Sequence, residues 1–597
     1  MHSRRGITLI EVVLYVALFT AMSLAVVQLI LNTQNAFAHA RIQRKALAQG
    51  NTALERIARE LRLAGDVDAA ASVMDAHPGT LQLNTVVSPT DSTPITRTFY
   101  LASGTLMMQE GTAAAIPLTS GVRVTNLIFR DAGKSQASSV YYYVRGSYAG
   151  CSDSNTGLTP QTAFCTIAKA ATLATAGTTV LVGAGMYAET VVLTHSGTAV
   201  QPIAYVADVG GTQTGDAGTV TVDGGTYGFQ FTSTGSDTGV DYTVIEGFTI
   251  TGALYGVWGG QGSDANSIRN NIITGNTDGI RLTTTWGNGM FIPGTNWTIE
   301  FNSIYGNTNG IYFDDGEYTG VLVQFNQITT NSEVGILTSD RGNGGFEPAN
   351  AVTIQHNEIS GNTEQGILSH PWFDGVFFDN HIYGNGDEGF WVVFRSSGTP
   401  EVINFRNNTV RANGNDGLLF GNESDRSSVD ASSVIENNIV SGNGESGIDT
   451  TLNQCAVIRN NDVWGNTGSA YQGCPSQTGS NGNIALDPWY VGPGADVHLQ
   501  AIATGHALDS PALDAGYQFA SDAGLTGRWT RSDSVADSGT VDMGYHYGNE
   551  TPGVQQYFAG DPASQAIRVE MTVVGGQGTF EVTQLLTETI VLRRSYR

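Results

Sequence analysis

A tandem motif organises the chain between Asn271 and Asn466: N-x-[IV]-x-x-N-x3-G-[ILF], with one residue fewer before the Gly in its first two copies. Copies begin at Asn271, Asn302, Asn326, Asn357, Asn380, Asn408 and Asn438. A decayed copy follows at Asn461, and Phe248-Thr249-Ile250 reads as a first coil with Phe in the Asn slot. Successive starts lie 23 to 31 residues apart, so the period persists while one loop changes length. Units of this kind bury their apolar side only against a neighbour. The Ile/Val segments are too short for helices, and Asn and Gly fall at corners, where positive φ costs them little. One Asn per coil is placed to stack its amide on the next coil's. Leucine-rich repeats need a Leu ladder, and propeller blades need about 40 residues. The motif predicts a right-handed parallel β-helix.

The rest of the composition agrees. Gly is abundant (75 of 597 residues) and charged residues make up 14%, which suits tight turns and stacked strands. The net charge of −26 is uneven, because residues 1–64 hold eight Arg/Lys against three Glu. An acidic surface of this kind repels phosphate backbones, which argues against nucleic acid as a partner.

At the N-terminus, His2-Ser3-Arg4-Arg5-Gly6 is a short basic leader, and residues 12–31 form an apolar run long enough to span a bilayer. Glu11 lies at its head. A charge there costs about 2.5–3.5 kcal/mol at a bilayer centre and so asks for a partner. These residues resemble the type IV prepilin and pseudopilin family. The resemblance implies that a prepilin peptidase cuts after Gly6 and methylates the new amine of Ile7. It also implies that Glu11 pairs with a neighbouring pilin's N-terminal amine as the helices bundle. The protein would cross the inner membrane once, then stand outside it in a filament. Ile7 takes the place of the family's usual Phe or Met. Ala36-Phe37-Ala38 would also suit a secretory signal, but that reading leaves Glu11 without a role.

Residues 32–64 contain no Pro, and Leu47, Leu54, Ile57, Leu61 and Ala64 recur at helical spacing. One helix over 7–64 is predicted, about 87 Å long. Arg56-Ile57-Ala58-Arg59-Glu60-Leu61-Arg62 resembles its amphipathic end in J-type minor pseudopilins and W-type minor pilins. Residues 80–87, 96–101, 105–109 and 119–129 read as strands of a small α+β head, similar to the J-type head. Further strands come from the far end of the chain, where Ile567, Val569, Met571 and Val573 alternate with polar residues. The expected division is therefore leader 1–6, helix 7–64 (membrane part about 7–31), head 65–137, an inserted β-helix with caps 138–548, and returning head strands 549–597.

The insert opens with Tyr141-Tyr142-Tyr143-Val144 and a capping helix over 164–173, and it ends in an Asp- and Gly-rich segment holding Ser510-Pro511-Ala512-Leu513-Asp514 and residues 537–547. Both ends resemble those of secreted β-helix proteins of the pectate-lyase-like superfamily, with the Asp and Gly residues as turn formers. Cys151/Cys165 and Cys455/Cys474 are two local pairs near the ends of the array, and two disulfides are the simplest account of them. A zinc site would need tighter spacing, so no metal is assigned.

After each Gly-[ILF] the chain enters its most variable loop, and function concentrates in loops held by rigid scaffolds. The candidate ligand-binding residues there are Trp286, Tyr312, Asp314, Asp315, Asp340, Arg341, His370, Trp372, Asp374, Trp391 and Arg395. Aromatic faces beside carboxylates and Arg suit sugar rings on a surface glycan. The loops also hold Phe291, Trp297, Phe313, Tyr318 and Phe373, and the competing use of loop aromatics is packing against the barrel. Binding needs no cofactor. A polysaccharide lyase would need Ca²⁺ carboxylates and a basic residue, for which Asp314, Asp315, Asp340 and Arg341 are the candidates. Asn276-Thr277-Asp278-Gly279 and Asp314-Asp315 resemble two polygalacturonase motifs, but one coil on from Asp278 falls Asn309, so the pair is out of stack. The reading favoured is a minor pilin displaying an adhesin module, with a tethered lyase or glycoside hydrolase as the alternative.

Overall fold

The computed structural model describes residue 45 and most of residues 49–591. The longer stretches outside it are 1–44, 132–139, 233–238, 284–293, 340–348, 370–372, 394–401, 422–432, 451–456, 555–565, 576–581 and 592–597. Gly6, Ile7, Glu11 and the apolar run 12–31 therefore lie outside the described residues. Among the described residues no helix is long and apolar enough to cross a membrane. Contacts divide the chain into two units, residues 1–135 with 562–597, and residues 136–561.

In the first unit, residues 49–61 are helical wherever described. Leu54, Ile57, Leu61 and Ala64 are buried in one core with Leu81, Leu83, Phe99, Leu106, Leu127 and Phe129, and with Val569 and Met571 from the other end of the chain. Leu47 is outside the described residues. The strands Leu81–Ser88, Asp91–Ala102 and Thr105–Glu110 form the antiparallel centre of one sheet. Arg123–Asp131, Ala566–Gly575 and Val582–Val591 form a second, in which the C-terminal strand pairs directly with the earlier one. Glu60, buried in the helix, is held by Arg56 at 2.9 Å and by Arg97.

The second unit is a parallel β-helix of three sheets, of twelve, eleven and eleven strands. Each coil gives one strand to each sheet, as in Ser267–Arg269, Ile272–Thr274 and Asp278–Thr283. Inside, like sits on like. Ile250, Ile273, Ile304, Ile328, Ile359 and Ile382 form one column, and Val257, Ile280, Ile311, Ile336 and Ile367 another, all fully buried.

Both Asn of the motif stack, at two corners rather than one. Along the first column, from Asn271 to Asn483, each amide nitrogen reaches the next coil's amide oxygen; Asn357 to Asn380 spans 3.0 Å. That same oxygen accepts the backbone N–H of Asn357, while the Asn357 amide also donates to the carbonyl of Val323. The second column, from Asn276 to Asn466, repeats the pattern, with Asn362 to Asn385 at 2.9 Å.

Positive φ falls one residue earlier than expected, just before each ladder Asn, at Asn270, Phe301, Phe325, His356 and Asp379. The motif Gly has a different reason. A Cβ on Gly279 would lie 2.5 Å from the carbonyl oxygen of Gly310, and the same holds from coil to coil. Close approach of strands, not turn geometry, demands glycine there.

The cap begins with the Cys151–Cys165 disulfide and the short helix Ile167–Ala171, which buries Ile167, Ala170 and Ala171 over the first coil. Cys474 is also disulfide-bonded, and Cys455 lies outside the described residues. The closing segment does more than cover the last coil. It runs back along the wall, meeting successive coils: Gly544 N–H to Asn437 O, Tyr545 N–H to Thr409 Oγ1, His546 N–H to Asp379 Oδ1, Gly553 N–H to Phe325 O.

Replacing Asn357 with Ala strands two buried backbone groups, each worth about 1–3 kcal/mol. The thermal midpoint of the β-helix, followed by circular dichroism, should fall by several degrees in Asn357→Ala. It should stay put in Ser332→Ala, an exposed turn position of the same array. Equal midpoints would show that the ladder is dispensable.

Candidate functional site

A strand in a stacked sheet points alternate side chains inward and outward. In the third sheet the position two past each motif Gly points outward. Pairing carries it in register through Gln230, Trp258, Arg281, Tyr312, Leu337, Leu368, Trp391, Leu419, Asp449 and Gln472. Trp258, Arg281, Tyr312, Leu337, Leu368, Trp391 and Leu419 are all half-buried, so one continuous aromatic and aliphatic stripe faces solvent.

Its first part is built around Arg281. The guanidinium bonds Asp278 at 2.8 Å and Asp314 at 2.5 Å, and lies 5.0 Å from the Tyr255 ring centre and 4.4 Å from that of Tyr312. Burial works against its charge, but both aspartates outweigh it and raise the Arg281 pKa. Asp278 also accepts from Asn309. Tyr227 packs 5.6 Å from Tyr255 and 5.5 Å from Trp258, extending the aromatic surface by a coil. An open hollow of about 490 Å³ over the neighbouring turns at Leu254, Thr277 and Thr308 holds no titratable side chain.

Its second part is acidic. Glu388 and Asp416 stand at the position just before the motif Gly, and Asp449 on the following coil, all three nearly buried. They are held by neutral donors: Gln365 to Glu388 at 3.0 Å, Ser446 N–H to Asp416 at 2.6 Å, and Gln472 to Asp449 at 2.8 Å. Burial pushes Asp416 up to about 6, with the charges of Asp449, Glu445 and Glu388 adding to it. Asp449 is raised in the same way, by burial and by Glu445.

The loop candidates separate on this frame. Tyr312 and Trp391 lie on the stripe, and Trp391 donates its indole N–H to Gly421 O at 2.9 Å. Asp314 is 4% exposed and engaged by Arg281; its strand neighbour is Ser339. Asp374 belongs by its backbone to the strand Phe373–Phe378 of the first sheet. Trp286, Asp315, Asp340, Arg341, His370, Trp372 and Arg395 lie outside the described residues. Trp297, Phe313 and Tyr318 are core: each is at most 2% exposed. Tyr227, Tyr255, Trp258, Arg281, Glu388, Asp416 and Asp449 stand on the strands of the third sheet or at their starts, where a search for variable loops does not reach. Counting two past each motif Gly would have found Trp258 and Arg281.

One further cluster is closed. Asp537, Asp542 and His546 bring ligand-type atoms within 4.8 Å of one another. Asp542 accepts from Asp514 N–H and from Thr530, while Asp537 holds both the His546 ring at 3.0 Å and Asp542 N–H. These groups, with Asp379 and His356, fasten the closing segment to the coils.

Comparison with known proteins fits this architecture. Residues 227–404 match the family model described as "Right handed beta helix region", and the second unit is a right-handed parallel β-helix. A search of curated proteins finds no match. Solved structures with similarity include pectate lyase Pel9A (16% identity, 68% of this chain and 96% of that one, TM-score 0.40). XylC in complex with xylose is 14% identical over 69% and 99%, with a TM-score of 0.42. The A-module of the Azotobacter vinelandii mannuronan C-5 epimerase AlgE4 is 15% identical over 59% and 98%, with a TM-score of 0.31.

The fastening cluster fixes a pH profile. Burial works against the charge on His546, but hydrogen bonds to Asp379 and Asp537 outweigh it and push the ring up to about 10. Its stabilisation is complete below 6.5 and fades as pH rises towards 10. Burial alone would raise Asp379, yet His356 and His546 hold it down to about 2, so its contribution fades as pH falls from 3.8 towards 2. Between these limits two groups oppose each other. Asp542, raised to about 6 by burial and by Asp537, loses stability as pH rises through that range. His356, lowered to about 4 by burial and by Arg528, loses it as pH falls. Thermal unfolding should therefore show an acid limb below about pH 4 and an alkaline limb from 6.5 to 10. In His546→Asn the alkaline limb should flatten; an unchanged limb would assign that titration to another group.

Proposed function

We propose that the β-helix is a recognition module that binds an extended glycan along the outer face of its third sheet. The observation that carries this is the in-register stripe from Trp258 to Leu419. Rungs spaced about 4.8 Å apart can track a linear chain, each sugar meeting a ring or an aliphatic surface flanked by hydrogen-bonding groups. Binding needs no cofactor on this reading.

The carrier is a minor pilin or pseudopilin, so the module acts as an adhesin outside the cell. This rests on the leader and apolar run of residues 1–31, and on an amphipathic helical stretch whose Ile57 and Leu61 pack into the head. Its partners are then other pilins through the N-terminal helix, the prepilin peptidase, and the inner membrane before assembly. A head of this bulk belongs at a filament tip or at sparse positions.

The competing reading is cleavage of the bound polysaccharide. One observation favours it: Asp416, pushed up to about 6, stands one coil from Glu388 on the same face. A carboxyl whose pKa is raised, standing near a second carboxyl, is the kind of pair that acid–base cleavage of a glycosidic bond uses.

Two outcomes are expected. Losing a stacking ring costs about 1–3 kcal/mol by analogy with bases on aromatic platforms, so Trp258→Ala and Tyr312→Ala should each weaken retention on an immobilised glycan about 5- to 150-fold. Unchanged retention in both would move the site, and turnover abolished by Asp416→Asn would decide for the enzyme. Mass spectrometry of the protein from its native membrane should find a methylated Ile7 as the first residue. A start near His39 or Arg41 would detach the β-helix from any filament.

A further inference from the structure

Resting on the binding reading, we infer that the glycan taken by this face is uncharged, a neutral hexose or pentose polymer rather than a polyuronate or sulfated chain. An anionic chain must find cations along its track. On the stripe, Arg281 is already bonded to Asp278 and Asp314, so this group of three carries one net negative charge. Four, five and six coils further on, Glu388, Asp416 and Asp449 meet amides and a backbone N–H. The turns beside them add Glu333, Glu364, Asp387 and Glu445, of which Glu364 is raised by burial and by the charges of Glu333 and Asp387.

The sequence between the strands does not reverse this balance. By sequence, their segments outside the described residues between 284 and 456 hold three Arg (Arg341, Arg395, Arg426) against eight Asp and Glu. A carboxylate on every sugar would therefore meet like charge along most of its length, in a setting where burial already makes negative charge costly at Asp416.

What the face does offer suits hydroxyls and ring faces. Trp258, Tyr312 and Trp391 present half-buried rings. The apolar C–H face of a neutral sugar stacks on such rings without needing a counter-charge. Gln230 stands on the same sheet with a side-chain amide that donates and accepts, and Gln365 and Asn415, whose N–H groups bond Asp387 and Glu388, present their amide oxygens as acceptors for hydroxyls. None of these interactions is weakened by salt.

The test is affinity electrophoresis of the purified full chain through gels containing xylan, mixed-linkage β-glucan, galactomannan, polygalacturonate, alginate or chitosan. Each is run at about 20 and about 300 mM NaCl, with Ca²⁺ or with chelator, since exposed charge–charge contacts are screened across that range. The expected result is retardation by at least one neutral polymer, changed less than twofold by salt or chelator and lost in Trp258→Ala. Retardation by polygalacturonate or alginate exceeding that by every neutral polymer would overturn the inference, whether or not it needed Ca²⁺. So would salt-sensitive retardation by chitosan alone. In both cases glycan binding itself would stand. Failure of all six polymers to retard the chain would sink the binding reading and this inference with it.

Discussion

Two columns of asparagine amides hold the coils in register, and the rest of the β-helix depends on them. An amide donates and accepts at once without carrying charge, so it can bond to an identical group above and below indefinitely. In each rung the Asn oxygen takes both a side-chain N–H and a backbone N–H from the preceding coil, as Asn380 does for Asn357. The corner's backbone is thereby satisfied inside the protein, where an unmet N–H is costly. With Gly279 and its counterparts pressed against the carbonyl of the next coil, the strand spacing is set as well. Loop length then becomes free, and coils of 23 and 31 residues stack equally well.

A ladder has ends, and there the molecule changes chemistry. At the first coil the Glu189 carboxylate caps the short helix, accepting the N–H groups of Ile167 and Ala168 at 2.8 and 2.9 Å. Along the wall, charged groups take over from amides. The column before the ladder runs Phe325, His356, Asp379, Asn407, Asn437, and the closing segment bonds to Phe325, Asp379, Asn407 and Asn437, while His356 bonds Asp379. A buried ion pair contributes little net stability, yet removing one partner is severe because the other is left unpaired. His546 between Asp379 and Asp537 therefore serves to fix where this non-repeating segment lies, a task that identical rungs cannot perform.

The coils were legible because their signal recurs. Ile at one spacing and Asn at another, repeated in every copy, leave few architectures. The same repetition misled on detail. Spacing suggests one stack of Asn and a Gly that forms a turn, because spacing alone does not tell a corner from a close strand contact. Loop aromatics were harder still. Trp297 is buried because its segment folds back so that its ring lies 3.0 Å from where a Cβ on Gly259 would sit, a contact between residues 38 apart that no local pattern announces. Phe313 is different: it sits three past the motif Gly and so points inward, a parity that could have been counted. The acidic residues Glu388, Asp416 and Asp449 hid for the opposite reason, each looking like an ordinary turn residue until the coils were superposed.

The three outer faces make the site a matter of exclusion as well as composition. On the first sheet the outward column is a ladder of polar side chains bonded to one another: Arg269 to Glu246, Gln324 to Glu300, Gln355 to Gln324, Arg459 to Glu436. Its donors are used within the wall, leaving little to offer a ligand. On the second sheet the outward residues from Ile439 back through Thr409 to His381 lie under the closing segment, where Leu499, Met543 and Tyr545 cover them. The third sheet has neither device along its middle. Leu337, Leu368 and Leu419 face outward beside Tyr312 and Trp391 with no internal ladder to explain them, a composition that costs solubility unless something covers it. On the binding reading proposed above, that apolar surface, bounded by hydrogen-bonding groups and by negative charge, is where a sugar chain would lie, and its sign of charge narrows which one.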